Sequence, residues 1–210
     1  MPMKSATEKL WRQQNKHEGD RWRLFQAVGE CVDANTVFYP GSFVDISPSF
    51  VFPDVTYLDM DKRTPRFFTD TNGVLEIIAE HAGAPDKPKF TFIHGDYSAL
   101  LTLPDESFDL LISLYAGFIS EHCTRYLKKG GSFLVNPSHG DAAMASIDSR
   151  YELSGVFASH AGGYTVRTIG LDKYLVPKKS IEITPEFLHK HGRGISYTRS
   201  AFAYLFKRIE

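Results

Sequence analysis

TVFYPGSFVDISPSFVFPDVTYLDMD, residues 36–61, is the stretch that decides the fold. It begins and ends with short apolar runs rich in β-branched and aromatic residues, which is typical of strands buried on both faces. Between the runs lie a turn at Gly41 and the pair Ser47-Pro48, the combination expected of a helix N-cap and first helical residue. The stretch therefore predicts a strand, a turn, a short helix and a second strand.

Gly41 and Asp59 directly follow these two predicted strands. In open α/β sheets ligands bind beyond the carboxyl ends of the strands, so both residues are expected at the same edge of the sheet. A glycine there lets the backbone approach a ligand, and an acid after the second strand can accept hydrogen bonds from ribose hydroxyls. The expected ligand is a nucleoside-containing cofactor.

The composition fits one domain of average hydrophobicity. The 210 residues carry a formal net charge of −1 and no basic block, so a nucleic-acid partner is unsupported. No apolar run approaches the roughly 20 residues that a membrane span needs. The oligomeric state is left open.

The cysteines and the N-terminus bear on the compartment. Cys31 and Cys123 lie far apart without CxxC spacing, and the histidines lack metal-ligand spacing, so neither a disulfide framework nor a metal site is predicted. Residues 1–18 are polar and lack the apolar segment of a secretory signal. We therefore expect a cytoplasmic protein.

Predicted helices and strands alternate through the rest of the chain. Residues 1–35 are predicted to form a helical segment, and residues 36–210 an α/β domain with a doubly wound, mostly parallel sheet. Within the domain we predict helices at 70–81 and 118–127, strands at 90–93, 108–114 and 132–136, an antiparallel pair at 151–159 and 164–169, a short helix ending by Gly192, and a last strand at 200–209. The run Lys128-Lys129-Gly130-Gly131 is predicted to terminate the second of these helices.

A succession of short motifs carries a resemblance to a known family: Gly95-Asp96, Leu103-Pro104, Ser107-Phe108-Asp109 and Leu127-Lys128-Lys129-Gly130-Gly131. With the interval from Gly41 to Asp59, they resemble the class I S-adenosylmethionine-dependent methyltransferases over about residues 36–136. The resemblance implies a Rossmann-like, seven-stranded sheet of order 3-2-1-4-5-7-6 with helices on both faces. Its seventh strand would be antiparallel, and residues 200–209 are the candidate for it.

The resemblance also implies S-adenosylmethionine as cofactor, S-adenosylhomocysteine as product, and a set of binding residues: Tyr39, Gly41, Ser42, Asp59, Asp96, Tyr97, Ser113 and Tyr115. The first three would lie beside the methionine part. Asp59 would bind the ribose, Asp96 the adenine amino group, and Tyr97 would lie near the adenine ring. Ser113 and Tyr115, just past the fourth strand, would border the transfer site. Each also has an alternative, because acids cap turns and aromatic residues fill cores.

The first motif departs from the family pattern. Tyr39 stands where the family has an acid, and Phe43 and Asp45 replace two of its three glycines. A phenylalanine side chain there narrows the space for a cofactor. Three functions therefore stay open: a methyltransferase for an unidentified acceptor, with a small molecule favoured; a methyltransferase-like binding or scaffolding domain without activity; and an aminopropyl-transferase-like enzyme that uses decarboxylated S-adenosylmethionine.

No catalytic residue is identified. Methyl transfer from a sulfonium mainly requires that the acceptor be positioned, and a base is needed only where the acceptor must lose a proton. His139, which follows the fifth strand near Asp141, is the candidate base at this edge.

Overall fold

The computed structural model describes residues 3–16 and 20–210, which form one eight-stranded sheet with helices on both faces. The strands are β1 Thr36–Pro40, β2 Asp54–Asp59, β3 Lys89–His94, β4 Phe108–Ser113, β5 Leu127–Val135, β6 Tyr151–His160, β7 Gly163–Arg167 and β8 Ala203–Arg208. The α-helices are α1 Ser5–Gln14, α2 Asp20–Gly29, α3 Thr64–Phe68, α4 Thr71–Ala79, α5 Ile119–Cys123, α6 Asp141–Ile147 and α7 Pro185–His191, and 3-10 turns lie at Ser47–Phe50, Thr124–Tyr126 and Leu171–Lys173.

The strand order is β3-β2-β1-β4-β5-β8-β6-β7. The first five strands in this order are parallel to one another, and β8 runs antiparallel between β5 and β6, as the resemblance implied. The prediction of seven strands was one strand short of the observed sheet. After Gly162, whose φ is +90°, β7 turns back and pairs with β6 at the outer edge, which confirms the predicted antiparallel pair.

The stretch that decides the fold forms the predicted unit. β1 and β2 pair in parallel, from Thr36 against Asp54 to Pro40 against Leu58. The helix between them is a single buried 3-10 turn, because it begins at Ser47-Pro48 and has only a few residues before Pro53. This short connection keeps the glycine turn close to the end of β2.

The prediction that Lys128 to Gly131 end a helix was wrong. α5 already stops at Cys123, a 3-10 turn follows, and these four residues belong to β5. Leu127 pairs with Phe108, after which the register shifts until Ser132 pairs with Leu110. Gly130, at φ +75°, lies within this irregularity, so its glycine serves a strand rather than a helix end.

Alternate residues of the strands pack into two core layers, one on each face of the sheet. Val37 and Tyr39 of β1 face a cluster that includes Leu24 and Phe25 of α2, whereas Phe38 faces the opposite cluster with α5 and α6. Helix α2, which belongs to the predicted N-terminal segment, therefore packs in the core on one face of the sheet. None of the helices in the described ranges combines the length and hydropathy needed to cross a bilayer.

Candidate functional site

Gly41, Asp59 and Gly95 meet at the carboxyl ends of β1, β2 and β3. The amide of Gly41 donates to the carbonyl of Leu58 at 2.8 Å, and the amide of Gly95 donates to the carbonyl of Asp59 at 3.2 Å. Asp96 follows directly. We call this edge, from Gly41 to Asp96, the rim.

Asp59 holds the glycine turn in place. Its Oδ2 accepts from the amide of Phe43 and its Oδ1 from the amide of Asp61, both at 2.7 Å. The side chain is only half-buried. Since each carboxylate oxygen has two lone pairs, Asp59 can accept further hydrogen bonds from a ligand.

Asp96 is exposed and forms a local turn. Its Oδ1 accepts from the amide and the hydroxyl of Ser98, at 2.9 and 2.8 Å. These bonds, the one from the amide first, hold the pKa of Asp96 below its ordinary value. Among the described residues none donates to its Oδ2, which therefore has both lone pairs available. Tyr97, the next residue, is half-buried and extends its hydroxyl towards Gly117 in the loop after β4.

Three of the predicted binding residues lie beneath the surface. Tyr39, Ser42 and Ser113 are 2%, 2% and 1% exposed. The Tyr39 hydroxyl donates to Oδ2 of Asp45 at 3.2 Å, and the Ser113 hydroxyl donates to Oδ2 of Asp141 at 2.6 Å. These side chains support the loops from within.

The loops after β1 and β4 touch each other. Gly41 has φ +70°, and a Cβ on it would lie 2.7 Å from the Cβ of Ala116. Both the left-handed backbone and the close approach therefore require glycine. Phe43 and Tyr115 also have left-handed φ values, +50° and +58°, a conformation that costs a bulky residue conformational energy.

A cavity of about 460 Å³ opens beside the rim, and we call it the aromatic-basic cavity. Two strained residues, Phe43 and Tyr115, line it together with two arginines whose guanidinium groups lie over their rings. Arg63 is 4.5 Å from the ring centre of Phe43, and Arg21 is 4.6 Å from that of Tyr115. The other lining residues are Gln13, Gln14, Asn15, Lys16, Tyr164 and Phe202. A second cavity, of about 500 Å³ near α7, is lined by none of the predicted site residues.

Arg21 is a cation of this cavity with a buried, unsatisfied donor. Its side chain is 27% exposed, and its Nε lies 3.9 Å from Oδ2 of Asp45, which is too far for a hydrogen bond. Its Nη1 is buried without a hydrogen-bond partner in the described part of the chain. Burial lowers the pKa of Arg21, but the electrostatic interactions with Tyr39, Asp45 and Tyr115 outweigh this effect, and the pKa is raised overall. The guanidinium is therefore charged.

No sequence motif marks Arg21 or Arg63 as a site residue. Arg21 lies in α2, within the N-terminal segment for which the sequence predicted only helical structure. Arg63 lies two residues after Asp61 and forms a two-point ion pair with it. The only feature of the sequence that could have indicated a site role for Arg63 was its position just after a strand end.

His139 lies on the surface after β5 and is separate from Asp141. Its Nδ1 is 2.9 Å from the Ser138 hydroxyl, which donates to Oδ1 of Asn136 at 2.8 Å. The same Asn136 oxygen accepts from the amide of Tyr115 at 3.1 Å. His139 is thus connected to the loop that borders the aromatic-basic cavity, and Asp141 makes its hydrogen bonds elsewhere.

Asp141 organises the other side of the edge. It is 1% exposed and accepts four hydrogen bonds. They come from the Ser113 hydroxyl, the Ile119 amide, and the amide and hydroxyl of Ser120, at 2.6, 3.0, 3.1 and 2.5 Å. Burial outweighs these bonds and raises the pKa of Asp141 to about 6.

Comparison with known proteins gives likeness in structure only. No model of a known protein family matches the sequence, and no curated protein matches it. The cofactor-bound protein Rv0187 from MTB has a TM-score of 0.51 and 13% identity, over 78% of this chain and 87% of that chain. The O-methyltransferase from Bacillus cereus in complex with S-adenosylhomocysteine has a TM-score of 0.50 and 10% identity, over 79% and 90%.

A similarity to the YcgJ protein from Bacillus subtilis, with 20% identity and a TM-score of 0.42, covers 60% of this chain and about half, 54%, of that one. The assignment of the fold rests on the two longer matches together with the strand order. The chain therefore has the fold of the class I S-adenosylmethionine-dependent methyltransferases.

Proposed function

We propose that this chain is an S-adenosylmethionine-dependent methyltransferase whose cofactor binds at the rim and whose acceptor binds in the aromatic-basic cavity. One observation carries the proposal: the loops after β1 and β4 bring two strained residues, Phe43 and Tyr115, to a single cavity beside Asp59. Backbone strain is concentrated at functional sites, and ligands of α/β sheets bind at the strand ends. A volume of about 460 Å³ suits a small molecule.

The rim fits the nucleoside half of the cofactor. Asp59 keeps lone pairs for ribose hydroxyls, and Oδ2 of Asp96 can accept from an adenine amino group. Both side chains are accessible to solvent. The glycine turn offers less to the methionine half, because Ala116 already lies against Gly41.

When bound, S-adenosylmethionine supplies an activated methyl group. The task of the chain is then to orient the acceptor and to exclude water. Phe43 and Tyr115 would pack against the acceptor, and the amide of Tyr115 is fixed by Asn136. For an acceptor that must lose a proton, His139 would be the candidate base, because hydrogen bonds through Ser138 and Asn136 link it to this loop.

Calorimetric titration with S-adenosylhomocysteine tests the rim. We expect binding, and about tenfold weaker binding by Asp96→Ala, the loss of one hydrogen bond to a charged group. Ser98→Ala alters the same turn but keeps the carboxylate, and Asp86→Ala removes an acid at the opposite end of β3; both should bind as the unmodified chain does. No heat at millimolar ligand, or full affinity in Asp96→Ala, would contradict the proposal.

A methyltransferase-like binding domain without activity is the second candidate. It is favoured by the contact between Gly41 and Ala116 and by the two main-chain amides that already occupy Asp59. Purified protein that carries bound cofactor, or that transfers labelled methyl groups to a component of a cell lysate, would reject this candidate.

A further inference from the structure

We propose that the aromatic-basic cavity binds a small acid, with a carboxylate or phosphate group on a flat apolar body, and that Arg21 holds the acidic group. The inference rests on the proposed function only where it names this acid as the methyl acceptor. The binding of the acid itself can be tested without any cofactor.

The charge of the cavity favours an anion. Lys16, Arg21 and Arg63 line it, and no aspartate or glutamate of the described chain does. Arg63 is largely neutralised by Asp61, whose two oxygens accept from Nε and Nη2 at 2.9 and 2.7 Å. Among the described residues Arg21 has only the longer contact with Asp45, at 3.9 Å, and no hydrogen-bonded ion pair.

Asp45 forms no hydrogen bond with Arg21. Its Oδ2 accepts from the Tyr39 hydroxyl and its Oδ1 from the amide of Ser47, both at 3.2 Å. Oδ2 lies 3.9 Å from Nε of Arg21. Nη1 of the guanidinium is thus a buried donor, beside a cavity, to which no described residue offers a hydrogen-bond acceptor. An oxyanion matches such a group well, because guanidinium presents its N–H donors in a planar fork.

Tyr115 covers the guanidinium that the acid would meet. Its ring lies 4.6 Å from the guanidinium carbon of Arg21, and 48% of the residue is exposed. We expect binding of an acid to shift this ring and to release Nη1 for a hydrogen bond.

The aromatic walls favour a flat apolar body on the same molecule. Phe43 and Tyr115 form one part of the wall, and Phe202 forms another, with its ring 5.0 Å from that of Tyr164. Aromatic side chains stack well on flat rings. Inorganic phosphate lacks such a body and should bind more weakly than an aromatic acid.

Titrations followed by NMR with benzoate, phenyl phosphate, benzamide and benzylamine test the proposal. We expect one of the two acids to bind at least ten times more tightly than the amide or the amine, and the preferred acid identifies the group. This comparison needs no variant. Equal affinity for acid and amide, or preference for the amine, would overturn the proposal.

Variants locate the site. Arg21→Met should weaken acid binding at least tenfold and Arg21→Lys by less, whereas Arg66→Met, which removes an exposed arginine outside the cavity, should have no effect. Thermal unfolding of each variant verifies that it is folded. Full acid affinity in folded Arg21→Met would overturn the role of Arg21.

The acidic group that Arg21 binds could belong to the acceptor or to the cofactor, and a further pair of probes distinguishes the two. S-adenosylhomocysteine has a carboxylate, and 5′-methylthioadenosine lacks the amino-acid part. If Arg21→Met weakens binding of the former, with or without the latter, Arg21 contributes to cofactor binding and the acceptor assignment is wrong; unchanged affinity for both supports it. Acid binding without S-adenosylhomocysteine binding would refute the methyltransferase proposal and leave the acid site standing.

Discussion

Asp96 and Asp141 both follow parallel strands at the same edge of the sheet, yet their surroundings are opposite. Asp96, after β3, is exposed, and among the described residues it accepts hydrogen bonds only from its neighbour Ser98. Asp141, after β5, is 1% exposed and accepts from Ser113 at the end of β4 and from Ile119 and Ser120 of α5. A strand-end acid can thus serve either a ligand or the fold, and its unoccupied lone pairs distinguish the two.

The same contrast divides the edge into two halves. On the β1–β3 half, Asp59 and Asp96 keep acceptor capacity at the surface. On the β4–β5 half, Asp141 accepts its hydrogen bonds from donors of the chain itself. These bonds fix the loop that carries Tyr115. The half that we propose to bind the cofactor therefore depends on a structural acid next to it.

The largest expected effect is the loss of Asp141. Asp141→Ala leaves two hydroxyls and two amides without their buried acceptor, so the free energy of unfolding should fall by about 3–5 kcal/mol. Urea denaturation measures it, with Asp86→Ala as the control that should match the unmodified chain. A loss below about 1 kcal/mol would show that water replaces the carboxylate, and the comparison would fail.

The pH dependence of stability gives the next effect. The pKa of Asp141 is about 6 in the folded chain and the ordinary value is 3.8. The folded chain therefore retains a proton that the unfolded chain releases, and the free energy of unfolding should fall as pH rises from about 4 to 6. The total change is about 3 kcal/mol at most.

Asp141→Asn should lack this pH-dependent fall. Urea denaturation of both proteins at several pH values between 4 and 7 isolates the contribution, since other titrating groups cancel in the difference. A constant difference across that range would mean that Asp141 is ionised throughout and that its four hydrogen bonds outweigh its burial.

Gly41→Ala tests the contact between the two halves. The left-handed φ and the approach to Ala116 should together cost about 2 kcal/mol of unfolding free energy. Adding Ala116→Gly removes the clash and leaves the backbone strain, so it should restore about half. If the second change restores nothing, the loops do not touch in solution, and the space beside Gly41 is open to a cofactor.

The sequence predicted what depends on local pattern. Thr36–Pro40 and Asp54–Asp59 were recognisable as strands because both are buried on two faces, and the resemblance correctly implied the antiparallel strand at the C-terminus. The prediction of a helix end at Gly130-Gly131 was wrong because glycines end helices and also permit strand irregularities. Only the pairing of Leu127 with Phe108 decides between these, and that pairing is a long-range contact.

The candidate site was predictable only in part for the same reason. The positions of Asp59 and Asp96 follow from strand ends, which have a sequence signal. That Asp59 already binds two amides depends on the path of the glycine turn. That Arg21 reaches the cavity depends on how α2 packs, and neither fact has a signature in the residues themselves.

The smallest expected effect on stability belongs to Asp96, and it separates the two roles of a strand-end acid most sharply. Asparagine forms the same local turn with its side-chain oxygen, so Asp96→Asn should change the free energy of unfolding by no more than about 0.5 kcal/mol. Its amide nitrogen then replaces Oδ2 and cannot accept from an adenine amino group, so affinity for S-adenosylhomocysteine should still fall severalfold. Urea denaturation and calorimetry on the same sample measure both. A destabilisation as large as that of the Asp141 variants would place Asp96 among the structural acids and remove the distinction between the two halves.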